Sequence, residues 1–193
     1  MVVAALGDSL TQGYGLPPED GFVAQLSDWL TGAGADVTLI NAGVSGDTTA
    51  GGLSRIEWTL TPEVDALIVA LGGNDILRGI DPSVARANLT GILDVAQARG
   101  LPVLLVGLDA PSNYGADYET EFEAIYTDLA ADYDTLLYPD FLAAIAAEPD
   151  RAAALRDLMQ PDGIHPNATG VTRIVDALGP SVLDLIERTD AKP

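Results

Sequence analysis

Cysteine is absent from the 193-residue chain, which excludes disulfide frameworks and thiolate-based metal or redox sites. Basic residues are scarce: 9 Lys and Arg stand against 29 Asp and Glu, a net charge of -20. That field repels nucleic acid and anionic lipid surfaces, so no nucleic-acid partner is expected. Long hydrophobic runs are missing too. Although 48% of the residues are apolar, uninterrupted stretches such as Ala66 to Leu71 and Val103 to Val106 fall far short of the roughly 20 residues of a spanning helix. No membrane span is expected, and the chain reads as a soluble globular protein. Lysine is nearly lacking, with eight of the nine bases being arginine. A saline setting and a high-GC coding bias both fit that composition.

What is present is an alternation. Val2 to Leu6, Val37 to Ile40, Ala66 to Leu71, Pro102 to Val106 and Thr135 to Tyr138 are continuous apolar runs, expected as five strands covered on both faces. Between them Phe22, Val23, Leu26, Trp29 and Leu30 recur at helical spacing. Ala85, Leu89, Ile92, Leu93 and Ala96 do the same, as do Tyr118, Phe122, Ile125, Tyr126, Leu129 and Tyr133. Asp81-Pro82 reads as an N-cap followed by a first-turn proline, and Gly100 as the matching C-terminal glycine. A last helix runs from Val171 to Ile186, with a kink or break expected at Gly179-Pro180. This pattern predicts one α/β domain over residues 1–193, a three-layer α/β/α sandwich on a five-stranded parallel sheet with right-handed crossovers. Ligands of such sheets bind beyond the carboxyl ends of the strands, where strand order reverses.

Those ends carry small, polar, glycine-rich runs: Gly7-Asp8-Ser9-Leu10 after the first strand, Asn41-Ala42-Gly43-Val44-Ser45-Gly46-Asp47 after the second, and Gly72-Gly73-Asn74-Asp75 after the third. After the last strand comes Asp162-Gly163-Ile164-His165-Pro166, with the single histidine of the chain. Serine, histidine and aspartate are the parts of a nucleophilic triad. Taken alone, Ser9 reads as a helix N-cap and His165 as a surface or packed residue. Four such blocks in order change both readings.

Together the four blocks resemble the GDSL or SGNH hydrolases, in particular the branch of bacterial arylesterases and the multifunctional thioesterase I/lysophospholipases. Pro111-Ser112-Asn113-Tyr114-Gly115 is similar to a loop motif of the same branch. The resemblance spans nearly the whole chain and implies a flavodoxin-like fold and a serine esterase that works without organic cofactor or metal. It implies Ser9 as nucleophile, His165 as base and Asp162 as the group that orients and stabilises its imidazolium. Backbone N–H groups of Ser9 and Gly46 and the side-chain amide of Asn74 would form the oxyanion hole. Leu77, Pro111, Asn113, Tyr114 and Ile164 are the candidate substrate-binding residues, with the segment Pro111 to Gly115 either lining an acyl pocket or only folding its loop. Asp8, Asp47 and Asp75 read as caps or supports of the loops, and Arg78 as a solvated arginine.

The expected substrate is a small aryl or short-chain acyl ester. A surface at -20 slows the approach of an anionic acyl-coenzyme A. Asp109 also stands in Leu108-Asp109-Ala110 where thioesterase I carries a basic residue. Acyl-CoA thioesterase or lysophospholipase activity is the alternative within the family, and a non-catalytic binding module on the same fold the alternative outside it. Metallophosphoesterase blocks are faintly similar, but two-metal sites recruit several histidines. The early start of the first strand leaves no room for an export signal, whereas the family resemblance implies a periplasmic or secreted protein and a start at Met1 as native a cytoplasmic one. Monomer and weak homo-oligomer both fit the composition.

Overall fold

The computed structural model describes residues 1–191. In chain order it contains β1 (Val2–Gly7), α1 (Ser9–Gln12), α2 (Phe22–Gly32), β2 (Thr38–Gly43), α3 (Thr49–Thr59), β3 (Ala66–Ala70), α4 (Gly73–Leu77), α5 (Pro82–Ala98), β4 (Val103–Val106), α6 (Ala116–Asp132), β5 (Leu136–Tyr138), α7 (Ala143–Ala146), α8 (Arg151–Leu158) and α9 (Ala168–Asp190). The strands form one parallel sheet in the order β2-β1-β3-β4-β5. α2 and α9 pack together on one face, and α3, α5 and α6 on the other, giving the three layers expected of alternating strands and helices.

The apolar runs divide by position. β1, β3 and β4 are buried along nearly their whole length, so their two-sided apolar patterns meet helices on both faces. β2 and β5 form the two edges and are only half-buried or exposed, contrary to the expectation that all five strands are covered on both faces. An edge strand has one neighbour in the sheet, which explains why Thr38 and Asn41 of β2 meet solvent.

Of the kink or break expected in α9, the break does not occur: the helix runs continuously through Pro180. Pro180 lies on the exposed side of the helix, where a displaced carbonyl turns to water at little cost. On the opposite side Gly179 packs against the Trp29 indole so closely that a Cβ there would stand 2.7 Å from the ring. The Gly-Pro pair therefore serves the contact between α2 and α9 rather than ending the helix.

Strand order reverses between β1 and β3, which places the residues following these two strands side by side at one edge of the sheet. The segment before α9 returns to the same edge.

Candidate active site

Ser9 is the first residue of α1, and the cap of that helix is Asp8, whose carboxylate accepts from Leu10 N at 2.9 Å. The serine hydroxyl is thus released from capping. It lies 2.9 Å from His165 Nε2, and His165 Nδ1 lies 2.7 Å from Asp162 Oδ2. The second oxygen of Asp162 accepts the backbone N–H of Ile164 at 2.9 Å and of His165 at 3.0 Å. These bonds, with the ring contact, hold the Asp162 carboxyl at about 2, below its ordinary value of 3.8. An ionised carboxylate only accepts, so the proton of a neutral His165 sits on Nδ1 and Nε2 is free to accept from the Ser9 hydroxyl.

The loop that carries His165 is fastened at both ends. Gln160 N donates to His165 O at 2.8 Å, and Gln160 Nε2 donates to Tyr14 O at 2.8 Å and Pro166 O at 2.9 Å. Asn167 caps α9 by accepting from Gly170 N and donates back to Asp157 O and Met159 O. The Tyr14 ring lies against the imidazole, with centroids 4.7 Å apart.

Asn74 reaches the site from α4. The cap of this helix is Gly72, where φ is +132°, a conformation open to glycine, and where a Cβ would collide with the Tyr126 hydroxyl. Tyr126 is buried and donates to Leu71 O at 2.9 Å, anchoring the end of β3. Asn74 Nδ2 donates to Asp8 Oδ2 at 3.3 Å, which leaves its second N–H for another acceptor. Asp8 is 2% exposed, and burial pushes its carboxyl up to about 6 despite the bonds from Leu10 and Asn74.

Gly46 lies on the loop after β2 with φ of +84°, while the position its Cβ would take is open, with nothing nearer than Arg78 Nη2 at 3.9 Å. Backbone conformation, rather than crowding by the fold, requires the glycine. Arg78 is exposed, in keeping with a solvated arginine, and it also donates to Gly46 O at 2.8 Å, tying this loop to the end of α4. Two further devices join the same segments. Arg55 on α3 donates to Asp47 Oδ2, Ala42 O and Gly7 O at 2.7, 2.8 and 2.9 Å, and buried Asp75 accepts from Thr49 N at 2.8 Å and Thr49 Oγ at 2.6 Å. Asp8, Asp47 and Asp75 are therefore the caps and supports expected.

A cleft of about 410 Å³ opens beside Ser9, His165 and Asn74. Of the candidate substrate-binding residues, Leu77, Pro111 and Ile164 line it. Gly46, Asn113 and Tyr114 are not among its lining residues; Asn113 is exposed in a 3₁₀ turn, and Tyr114 packs on Tyr118 and over Gly79. Sequence reasoning missed Leu142, Arg151 and Met159 on the wall, since the alanine-rich stretch around α8 shows no clear helical face. Asp109 lines the same cleft. Among the described residues no three His, Asp or Glu side chains converge as a metal cage.

Residues 5–173 match the model of the GDSL-like Lipase/Acylhydrolase family. The chain belongs to this family. It is 38% identical over 182 residues to "Esterase TesA" of Pseudomonas aeruginosa, covering 94% of this chain and 87% of that one. Among solved structures, AlinE4, described as an SGNH-hydrolase family esterase, shares 47% identity with a TM-score of 0.77 over 95% of both chains. The psychrotrophic esterase EstA from Pseudoalteromonas sp., in a structure inhibited by monoethylphosphonate, shares 33% identity with a TM-score of 0.87 over 96% of this chain and 98% of that one. The α/β fold is that of the SGNH hydrolases.

Proposed function

We propose that this GDSL-family chain hydrolyses carboxylic esters through an acyl-enzyme on Ser9. The observation that carries the reading is the hydrogen-bonded chain from Ser9 Oγ to His165 Nε2 and from His165 Nδ1 to Asp162. As Ser9 Oγ bonds to the acyl carbon, His165 Nε2 takes its proton, and the carbonyl oxygen becomes an oxyanion. The free N–H of Asn74 meets that charge together with the backbone N–H groups of Ser9 and Gly46. The intermediate collapses, the C–O bond to the alcohol breaks, and His165 returns the proton to the leaving oxygen. Water then attacks the acyl-serine by the same route and releases the carboxylic acid, restoring Ser9. Asp162 accepts the Nδ1–H bond throughout and offsets the imidazolium charge.

Small, uncharged aryl or short-chain esters suit the cleft better than acyl-coenzyme A. The net charge of -20 opposes a polyanionic substrate, while on the cleft wall Asp109 is accompanied by Arg151. Phenyl and naphthyl esters of short acids are expected to give a higher kcat/KM than long-chain acyl-coenzyme A at low salt. The reverse ranking in one substrate panel assigns the chain to the thioesterase reading instead. Periplasmic or secreted placement extends the family resemblance, and fractionation of the source cells tests it; no helix among the described residues is long and apolar enough to cross a membrane.

A further inference from the structure

Tyr14 touches the active centre, yet the proposed reaction gives it no task. It follows Gly13, the cap of α1, and its N–H donates to Ser9 O at 3.1 Å, so the turn that carries it is built on the backbone of the nucleophile. Its ring lies against the imidazole of His165, with centroids 4.7 Å apart and planes inclined by 40°. Gln160 braces the pair: its side-chain nitrogen donates to Tyr14 O at 2.8 Å and to Pro166 O at 2.9 Å, and its backbone N–H donates to His165 O at 2.8 Å. Gly15 leaves room for this brace, since a Cβ there would collide with Gln160 Oε1. Two segments far apart in sequence are thereby held with their rings in contact. Ser9, Tyr14, His165 and Pro166 border a gap of only about 10 Å³, no more than one water fills, which leaves the imidazole little room to move on that side. Tyr14 is 49% exposed, so burial in the core is not what places it there.

Resting on the ester-hydrolase reading above, we propose that Tyr14 is a positioning residue for the base: its ring fixes the plane of the His165 imidazole, above all while the acyl-enzyme exists. In the resting protein the imidazole is held at both nitrogens, by Asp162 at Nδ1 and by Ser9 Oγ at Nε2. Once Oγ carries the acyl group it has no proton to donate, and the bond to Nε2 is lost. The bond to Asp162 alone leaves the ring an axis to turn about, and the flank of Tyr14 is what still bears on it. At this stage Nε2 must take a proton from a water whose oxygen bonds to the acyl carbon, and return that proton to Ser9 Oγ as the Oγ–C bond breaks. Misalignment of the ring therefore weighs more on the second half of the cycle than on the first. An aromatic pair contact supports an effect of about three- to ten-fold on that step.

The test follows the two halves of the cycle separately in the parent, Tyr14→Leu and Tyr14→Phe, with 4-nitrophenyl acetate as the probe. Release of 4-nitrophenol on rapid mixing reads formation of the acyl-enzyme, and quenched samples weighed by intact mass read its decay. Tyr14→Leu should slow the decay about three- to ten-fold and formation less, so that acetylated Ser9 accumulates. Tyr14→Phe keeps the ring and should restore the parent rate. The chain has a single histidine, so its imidazole C–H signals are read by proton NMR without overlap from another. Loss of the Tyr14 ring current should move those signals in Tyr14→Leu and leave them nearly in place in Tyr14→Phe. Should Tyr14→Leu fold poorly, Tyr14→Met, which keeps bulk without a ring, carries the comparison. Unchanged acyl-enzyme decay in the folded ringless variant, or an equal loss in Tyr14→Phe, overturns the proposal. A fall in kcat/KM carried by a raised KM alone overturns it too and makes Tyr14 a substrate contact. A parent that hydrolyses no ester overturns both this role and the reading on which it rests, whereas an active parent with an indifferent Tyr14→Leu removes the positioning role alone.

Discussion

Asp8 is held in the folded chain at a cost that a single substitution should expose. Its carboxyl titrates near 6 when folded, against 3.8 for the ordinary group, and burial is the main cause. Below about pH 4 the group is protonated in both the folded and unfolded states and costs nothing. Between about pH 4 and 6 the unfolded chain ionises first, so the folded state binds more protons and stability falls as pH rises. Above pH 6 the loss is complete. A shift of two units corresponds to about 3 kcal/mol. Asp8→Asn removes the charge but retains an oxygen that can still accept from Leu10 N and cap α1. Allowing for the weaker interaction of a neutral cap with the helix, the variant should be more stable than the parent by about 1–2 kcal/mol at pH 7.5. The difference should vanish near pH 4. Activity should move the other way, because the amide introduced at position 8 can turn a donor toward Asn74 Nδ2 and so disturb the amide proposed to face the oxyanion. Urea unfolding of both proteins from pH 4 to 8, with kcat/KM at pH 7.5, checks each part. A variant no more stable than the parent at pH 7.5, or equally stabilised at pH 4 and 7.5, would refute the assignment of burial strain to Asp8.

Asn74→Ala should lower kcat about 10²-fold with little change in unfolding free energy, and Asn74→Asp should be at least as damaging because it sets a second carboxylate beside Asp8 and the oxyanion; undiminished turnover in either folded variant would remove Asn74 from the oxyanion hole. Asp162→Asn keeps an acceptor for the N–H groups of Ile164 and His165 but offers a donor to the ring, so His165 takes the wrong tautomer and kcat should fall on the order of 10³–10⁴-fold. Single-turnover kinetics on the folded variant check this, and a loss under ten-fold would contradict the role. The folded carboxyl of Asp162 is depressed to about 2, so the contribution of its bonds to loop stability should persist above pH 4 and disappear as pH falls from 4 to 2 in the parent but not in Asp162→Asn. Unfolding followed over that range decides it.

Much of the architecture is legible in the pattern of residues because buried central strands and amphipathic helices have distinct apolar periods. β1, β3 and β4 and helices α2, α5 and α6 stand where their periods predict them. The edge strands are less faithful, since an apolar run does not reveal how many neighbours a strand will have. α3 escapes the pattern because Gly51 and Gly52 interrupt its apolar face, although its cap Thr48 accepts from Gly51 N and offered a local signal. Pro180 misleads for a different reason: whether a proline breaks a helix depends on whether its far side meets water, and that depends on the fold.

Within the site, the blocks around Ser9, Asn74 and the Asp162-His165 pair could be read because each follows a strand or precedes a helix at the switch-point edge. Long-range ties could not be read. Arg55 holding Gly7 O and Ala42 O and Arg78 holding Gly46 O join segments far apart in sequence through contacts that no local spacing encodes.

The central claim is that Ser9 is the nucleophile and His165 its base. Treatment with a serine-directed alkyl phosphonate, followed by intact-mass and peptide mass spectrometry alongside residual ester turnover, tests it most directly. The geometry predicts one adduct per chain, on Ser9, formed in step with the loss of activity, and a much slower reaction in folded His165→Ala. Full turnover in a completely labelled protein, or an unlabelled Ser9 in a protein that still hydrolyses esters, would contradict it.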